Sequence, residues 1–202
     1  MAYAYKLLSQ KMTSRNNTKW EIGKAIEISK EFSGNELCSN QLLHCYASPE
    51  IAVFMNPAYA NISEPRLFRI RCSKILADDG TKQGCKKQTL LKELPLPEIS
   101  VEQRIKIAIL CATEVYKEPN FLVWAENWNT GKDRTATSAK AAYTAADSAS
   151  YAASYAAKAA ASAAYNAAHA AAYAAAYTAA HAAAYAADKF FLQAIIETVI
   201  KS

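Results

Sequence analysis

The chain reads as α+β, with a small mixed-sheet domain over residues 1–97 and an all-α, alanine-rich domain over 98–202. Three observations predict that division. Short alternating apolar stretches bounded by turn residues fill the first half. Pro95 and Pro97 form a linker. Beyond it come helix-start signals and a segment, 139–187, in which 30 of 49 residues are alanine, with seven tyrosines and no glycine or proline. Alanine is the best helix former, so nothing there opposes a helix.

In the first half, Ala2–Leu8 alternates as a short strand. Trp20–Ile28 holds a second strand around a turn at Gly23, and Glu36–Tyr46 a third. Ser48, Pro49 and Glu50 read as N-cap, N1 and first-turn acid of a helix that stops before Pro57. Arg66–Ile75 alternates as a strand, Asp78-Asp79-Gly80 signals a turn, and Lys86–Glu93 returns as another strand.

In the second half, Ser100 with Gln103 makes a capping box. Ile105, Ala108, Ile109, Ala112, Val115 and Tyr116 then follow helical spacing until Pro119. Residues 120–128 form an aromatic helix whose Trp124 and Trp128 share a face and are expected in the core.

In the tail, Tyr143, Tyr151, Tyr155, Tyr165, Tyr173, Tyr177 and Tyr185 recur at multiples of four, apart from one ten-residue step. His169 and His181 fill two further fourth positions. Residues i and i+4 lie on nearly the same face of a helix, so the rings form a slowly drifting stripe. Segment 143–164 resembles 165–186 at a shift of 22 residues, twice an eleven-residue repeat. A single helix of about 75 Å and a set of antiparallel helices compete. Only Lys140, Asp147 and Lys158 are charged within 139–187, so packing within or between chains is expected, with a fold-back near Ala157–Ser162. The stripe makes Tyr165, Tyr173, Tyr177 and Tyr185 the candidate partner-binding residues. Missing basic residues speak against nucleic-acid binding by the tail, and tyrosines spread throughout speak against a membrane span.

The formal charge is +5, too diffuse to name a partner. An odd cysteine count of five and no visible signal peptide point to reduced thiols in the cytosol. Cys38, His44, Cys45, Cys72 and Cys85 lack the tight C-x2-C spacing of zinc modules, so buried thiols are expected and no metal. NTGK lacks the phosphate-loop frame, and no cofactor is expected. His44 sits where a strand meets a helix and remains a candidate, as does Glu93.

The stretches AYKLL, WEIGKAIEI and ELC-x6-C followed by SPE resemble an uncharacterised phage and bacterial family. Its members continue with a helix, a W-A-x-x-W-like segment and an alanine-rich tail, as ISVEQRIKIAILCATEVY, WAENW and the tail do here. Leu42-Leu43 replaces the family's glycine-aromatic pair before the histidine. The resemblance implies a prokaryotic or phage origin and a place in the host cytoplasm. LLHCYASPEIA is also similar to a strand-then-helix pattern of ADP-ribosyltransferases, at His44, Pro49, Glu50 and Ala52. That likeness implies an NAD-using enzyme with His44 and Glu93 in its site, although Lys6 stands on the early strand where Arg or His is usual.

The leading functional expectation is a non-enzymatic protein-interaction module. It would act as an inhibitor of a larger host-defence protein or ribonucleoprotein complex, such as a CRISPR effector (anti-CRISPR-like). An ADP-ribosyltransferase-like enzyme is second. A scaffold that forms homo-oligomers through the alanine-rich helices is third.

Overall fold

The computed structural model describes residues 2–34, 37–147, 153–169, 171–186 and 189–201. The chain divides into two compact units, Met1–Glu98 and Ile99–Ser202.

The first unit is built on β-structure. Strands β1 (Ala2–Leu8), β4 (Arg66–Cys72), β7 (Lys87–Leu94) and β2 (Ala25–Glu27) pair antiparallel in that spatial order. A register shift opposite Arg69 and Ile70 puts a bulge in β7. A second sheet holds β3 (Leu43–Cys45), β6 (Gln83–Cys85) and β5 (Ile75–Asp78) in that order. Tyr5 and Tyr46 exchange two backbone hydrogen bonds of 2.9 Å, which brings the end of β3 alongside β1. Helix α1 (Pro49–Met55) starts as its sequence implies, with the Ser48 hydroxyl accepting from the Ile51 N–H. Ala4, Leu8, Trp20, Phe68, Ile70 and Leu90 pack with Cys45, Cys72 and Cys85 in the core.

One first-half expectation is corrected, and one strand is added. Only Leu43–Cys45 of the expected strand 36–46 is extended; Leu37–Leu42 forms turns, and Glu36 lies outside the described residues. The reason is at Gly84, opposite His44: a Cβ there would come within 2.6 Å of Leu42 and 2.7 Å of Leu37, so the turns fold over a gap that only glycine leaves. Strand β6, with its central glycine, carries no alternation and went unseen. Gly23, at φ +82, makes the turn before β2.

In the second unit, α2 (Val101–Val115) opens with the full capping box between Ser100 and Gln103. It ends before Pro119, which occupies the first turn of α3 (Pro119–Asn129) instead of terminating α2. The tail consists of α4 (Ala136–Asp147), α5 (Ala153–Ala168), α6 (Ala172–Ala186) and α7 (Lys189–Lys201). It is therefore neither one helix nor broken at Ala157–Ser162, which lies inside α5. α5 closes instead where the Asn166 carbonyl accepts from His169 and Ala171, the wide bond that ends helices.

α5 packs on α4 and α6, and α2 packs on α5, α6 and α7. Lys158 pairs with Asp147, and Tyr155 meets Tyr185 at 5.8 Å, so α4–α5 and α5–α6 run antiparallel. Ala156, Ala160, Ala163, Ala175, Ala179 and Ala182 are fully buried, while Ile105, Ile107 and Ile109 of α2 supply the bulk that alanine lacks. This interdigitation of small and large residues is what close-packed interiors require. Trp124 and Trp128 are buried on α3, which packs on α2 and α4. No helix among the described residues is long and apolar enough to cross a membrane.

Candidate functional site

Two concave surfaces stand out, one in each unit. In the second unit, a shallow groove of about 290 Å³ is lined by Tyr143 of α4, Tyr155 and Lys158 of α5, and Tyr177, His181 and Tyr185 of α6. The antiparallel turns carry each ring to the same surface: four-residue spacing within a helix, then reversal between helices. Tyr177 and His181 lie 4.5 Å apart, and His181 and Tyr185 6.0 Å. Lys158 Nζ sits 5.6 Å from both the Tyr143 and Tyr155 rings, and its pairing with Asp147 removes most of its net charge. Burial lowers the pKa of His181, so the ring is held towards its neutral form. Tyr155 and Tyr185 are more than half exposed. The surface is aromatic, hydroxyl-rimmed and near neutral, carried on a rigid alanine layer.

In the first unit, a cavity of about 610 Å³ is walled by β1, the hairpin-like loop 9–19, the turns at 37–42 and the residues around Tyr59 and Lys82. Lys6 points inward because it shares the face of β1 with Ala4 and Leu8. Its Nζ donates to the His44 carbonyl at 2.6 Å and lies 4.4 Å over the Trp20 ring. Burial pushes its pKa down to about 8, against an opposing pull from the thiols of Cys45, Cys85 and Cys72. Lys82 is also buried; it donates to Cys38 Sγ at 2.6 Å and lies 4.0 Å over the Tyr59 ring. Arg15 donates to the Tyr59 carbonyl at 2.5 Å. The half-buried His44 ring donates from Nε2 to the Leu37 carbonyl, and burial lowers its pKa. No carboxylate is among the described residues that line the cavity. The indole N–H of Trp20 is buried without an acceptor.

Behind Lys6, Cys45, Cys72 and Cys85 bring their Sγ atoms within 4.8 Å of one another, all buried. Cys85 accepts from Cys45 and Cys72 and from the Gln88 amide, which holds its pKa low, while the bond to Cys72 holds Cys45 high. Among the described residues this is the one group of three side chains placed to share a metal ion, and its soft donors suit a thiophilic cation. Cysteine spacing along the chain missed it, because β3, β4 and β6 each contribute one thiol from a different part of the sequence.

Of the residues singled out from sequence, Tyr177 and Tyr185 meet in the groove. Tyr173 is 63% exposed at the start of α6, and Tyr165 stacks on His169 at 4.6 Å; neither lines the groove. Tyr143, Tyr155 and His181 complete it, and the periodic stripe already contained them. Tyr151 lies outside the described residues. His44 lines the cavity, but Glu93 does not: it forms a two-pronged ion pair with Arg66 across the β4–β7 ladder, at 2.8 and 2.5 Å. The two are not brought together as a catalytic pair. The sequence signal for the cavity was Lys6, an ionisable residue on the apolar face of an alternating strand. Compared with models of protein families, with curated proteins and with solved structures, the chain finds no match in any of the three.

Proposed function

We propose that this chain is a protein-interaction module without catalysis of its own, which engages a larger protein or ribonucleoprotein complex through the tyrosine groove of its helical unit. The observation that carries this reading is the convergence of four tyrosines from three helices on one exposed groove. Tyrosine offers large apolar area with two side-chain torsions to freeze and a hydroxyl that finds a partner at the rim, so it is favoured at interface centres. The alanine layer beneath holds the rings on rigid backbone and carries little function of its own. The resemblance to a phage and bacterial family makes a host-defence assembly, such as a CRISPR effector, the partner to test first.

The test is capture of a purified host-defence complex by the intact chain and by a Tyr155→Ala/Tyr185→Ala variant. Both tyrosines are exposed, so the melting curve of the variant should match that of the wild type. Loss of capture with an unchanged melt supports the reading; equal capture by both proteins overturns it. Light scattering on the same pair covers self-association: a dimer that the variant loses would make a second copy of this chain the occupant.

A further inference from the structure

We infer that the cavity of the first unit is a binding site for a sugar phosphate, free or as part of a nucleotide. The inference rests on the first unit alone and is independent of the tyrosine groove.

The charge balance comes first. Lys6, Arg15 and Lys82 line the cavity, and no carboxylate among the described residues does. Asp79, 3.9 Å from Lys82, offsets one positive charge from outside the lining. Arg15 remains without a counter-ion, and Lys6, 6% exposed, has no carboxylate near it and only the thiol of Cys85 behind it. A buried ammonium without an anionic partner is costly, and an anion in the cavity removes that cost. A phosphate monoester carries about −1.5 to −2 at pH 7, of the sign that this cationic lining favours.

Donor supply points the same way. Lys6 spends one N–H on the His44 carbonyl, Lys82 one on Cys38, and Arg15 one on the Tyr59 carbonyl. Each has further donors, two per lysine and four for arginine by the chemistry of the groups, roughly what three phosphate oxygens can accept. The Trp20 N–H, on a side chain 2% exposed, has no acceptor in the fold. That nitrogen is shielded from solvent, so the ring's part in the site is its face, 4.4 Å from the Lys6 ammonium.

Size and lining decide the rest of the ligand. About 610 Å³ is far more than an inorganic anion fills and lies within the range of small-molecule sites. Ser14, Asn16 and Thr18 from one loop, and Ser39 and Asn40 from another, line it with hydroxyls and amides. Such groups suit the hydroxyls of a sugar better than an apolar tail.

Calorimetric titration of the full chain with ribose 5-phosphate, AMP, inorganic phosphate and ribose tests this. Ribose 5-phosphate or AMP should bind, ribose should not, and phosphate alone should bind at least about tenfold more weakly. The tighter of the two organic ligands identifies the source, free sugar phosphate or nucleotide. Arg15→Ala, at an exposed position that leaves the fold intact, should weaken binding about tenfold, the usual loss for one charge-assisted hydrogen bond. Lys82→Met should do the same. The inference is overturned if neither organic phosphate gives heat at millimolar concentration, or if both variants bind like the wild type. Phosphate and sulfate binding as tightly as ribose 5-phosphate, an adventitious ion only, overturns it equally.

Discussion

Replacing Lys6 by methionine should leave a pH-dependent signature in stability. In the folded chain the Lys6 ammonium titrates at about 8 instead of its ordinary 10.5. At about 1.4 kcal/mol per pH unit, the burial of that charge costs about 3 kcal/mol near neutral pH. Between 8 and 10.5 the unfolded chain holds more protons than the folded one, so stability rises with pH there. The cost is present in full below 8 and is relieved by 10.5. Integration gives the wild type about 1.4 kcal/mol by pH 9 and about 2.6 kcal/mol by pH 10, relative to a variant without the amine. Methionine has similar length and fills the same space, but the His44 carbonyl loses its donor at 2.6 Å, a constant offset of about 1–3 kcal/mol. The thiols of Cys45, Cys72 and Cys85 and the His44 ring face Lys6, and they titrate in both proteins. The difference between the two proteins is therefore the quantity to follow. Urea unfolding of both proteins under reducing conditions at pH 7, 9 and 10 measures it. The gap between them should move by more than about 2 kcal/mol towards the wild type across that range. A constant gap would show that water reaches Lys6 freely, and the reasoning from burial would fail.

Two further outcomes follow from packing and capping. Ala160→Leu, at a fully buried position of α5 where the helices approach through alanine, should cost roughly 1–3 kcal/mol, read by thermal unfolding; no loss would mean that the helices are not in close contact there. Ser100→Ala removes one arm of the capping box of α2 and should lower stability by about 1 kcal/mol, whereas Ser100→Asp should retain most of it.

Local chemistry made much of the fold legible. The Ser48-Pro49-Glu50 start, the Ser100–Gln103 box and the alternation of Ala2–Leu8 are interactions among residues close in sequence, and each appears where its spacing places it. Boundaries were less legible. Proline was read as a stop at 119, where it serves as a start, because both roles suit a residue without an N–H. The tail's turns could not be placed from composition, because alanine is equally content to continue a helix or to bury against another.

By itself the sequence determined that the alanine-rich tail would form helices, as it does at Ala136–Asp147, Ala153–Ala168 and Ala172–Ala186, and that the chain would be a sheet-bearing half followed by a helical one. Propensity and periodicity are local, and they survive in any packing. Only the tertiary structure decided which tyrosines share a groove, because that depends on where the helices reverse. It alone gathered Lys6, Arg15, Trp20 and Lys82 around one cavity, and three thiols from three strands behind it. The cavity residues lie up to 76 positions apart in the chain, between Lys6 and Lys82, and only strand pairing and loop packing bring them within reach of one ligand.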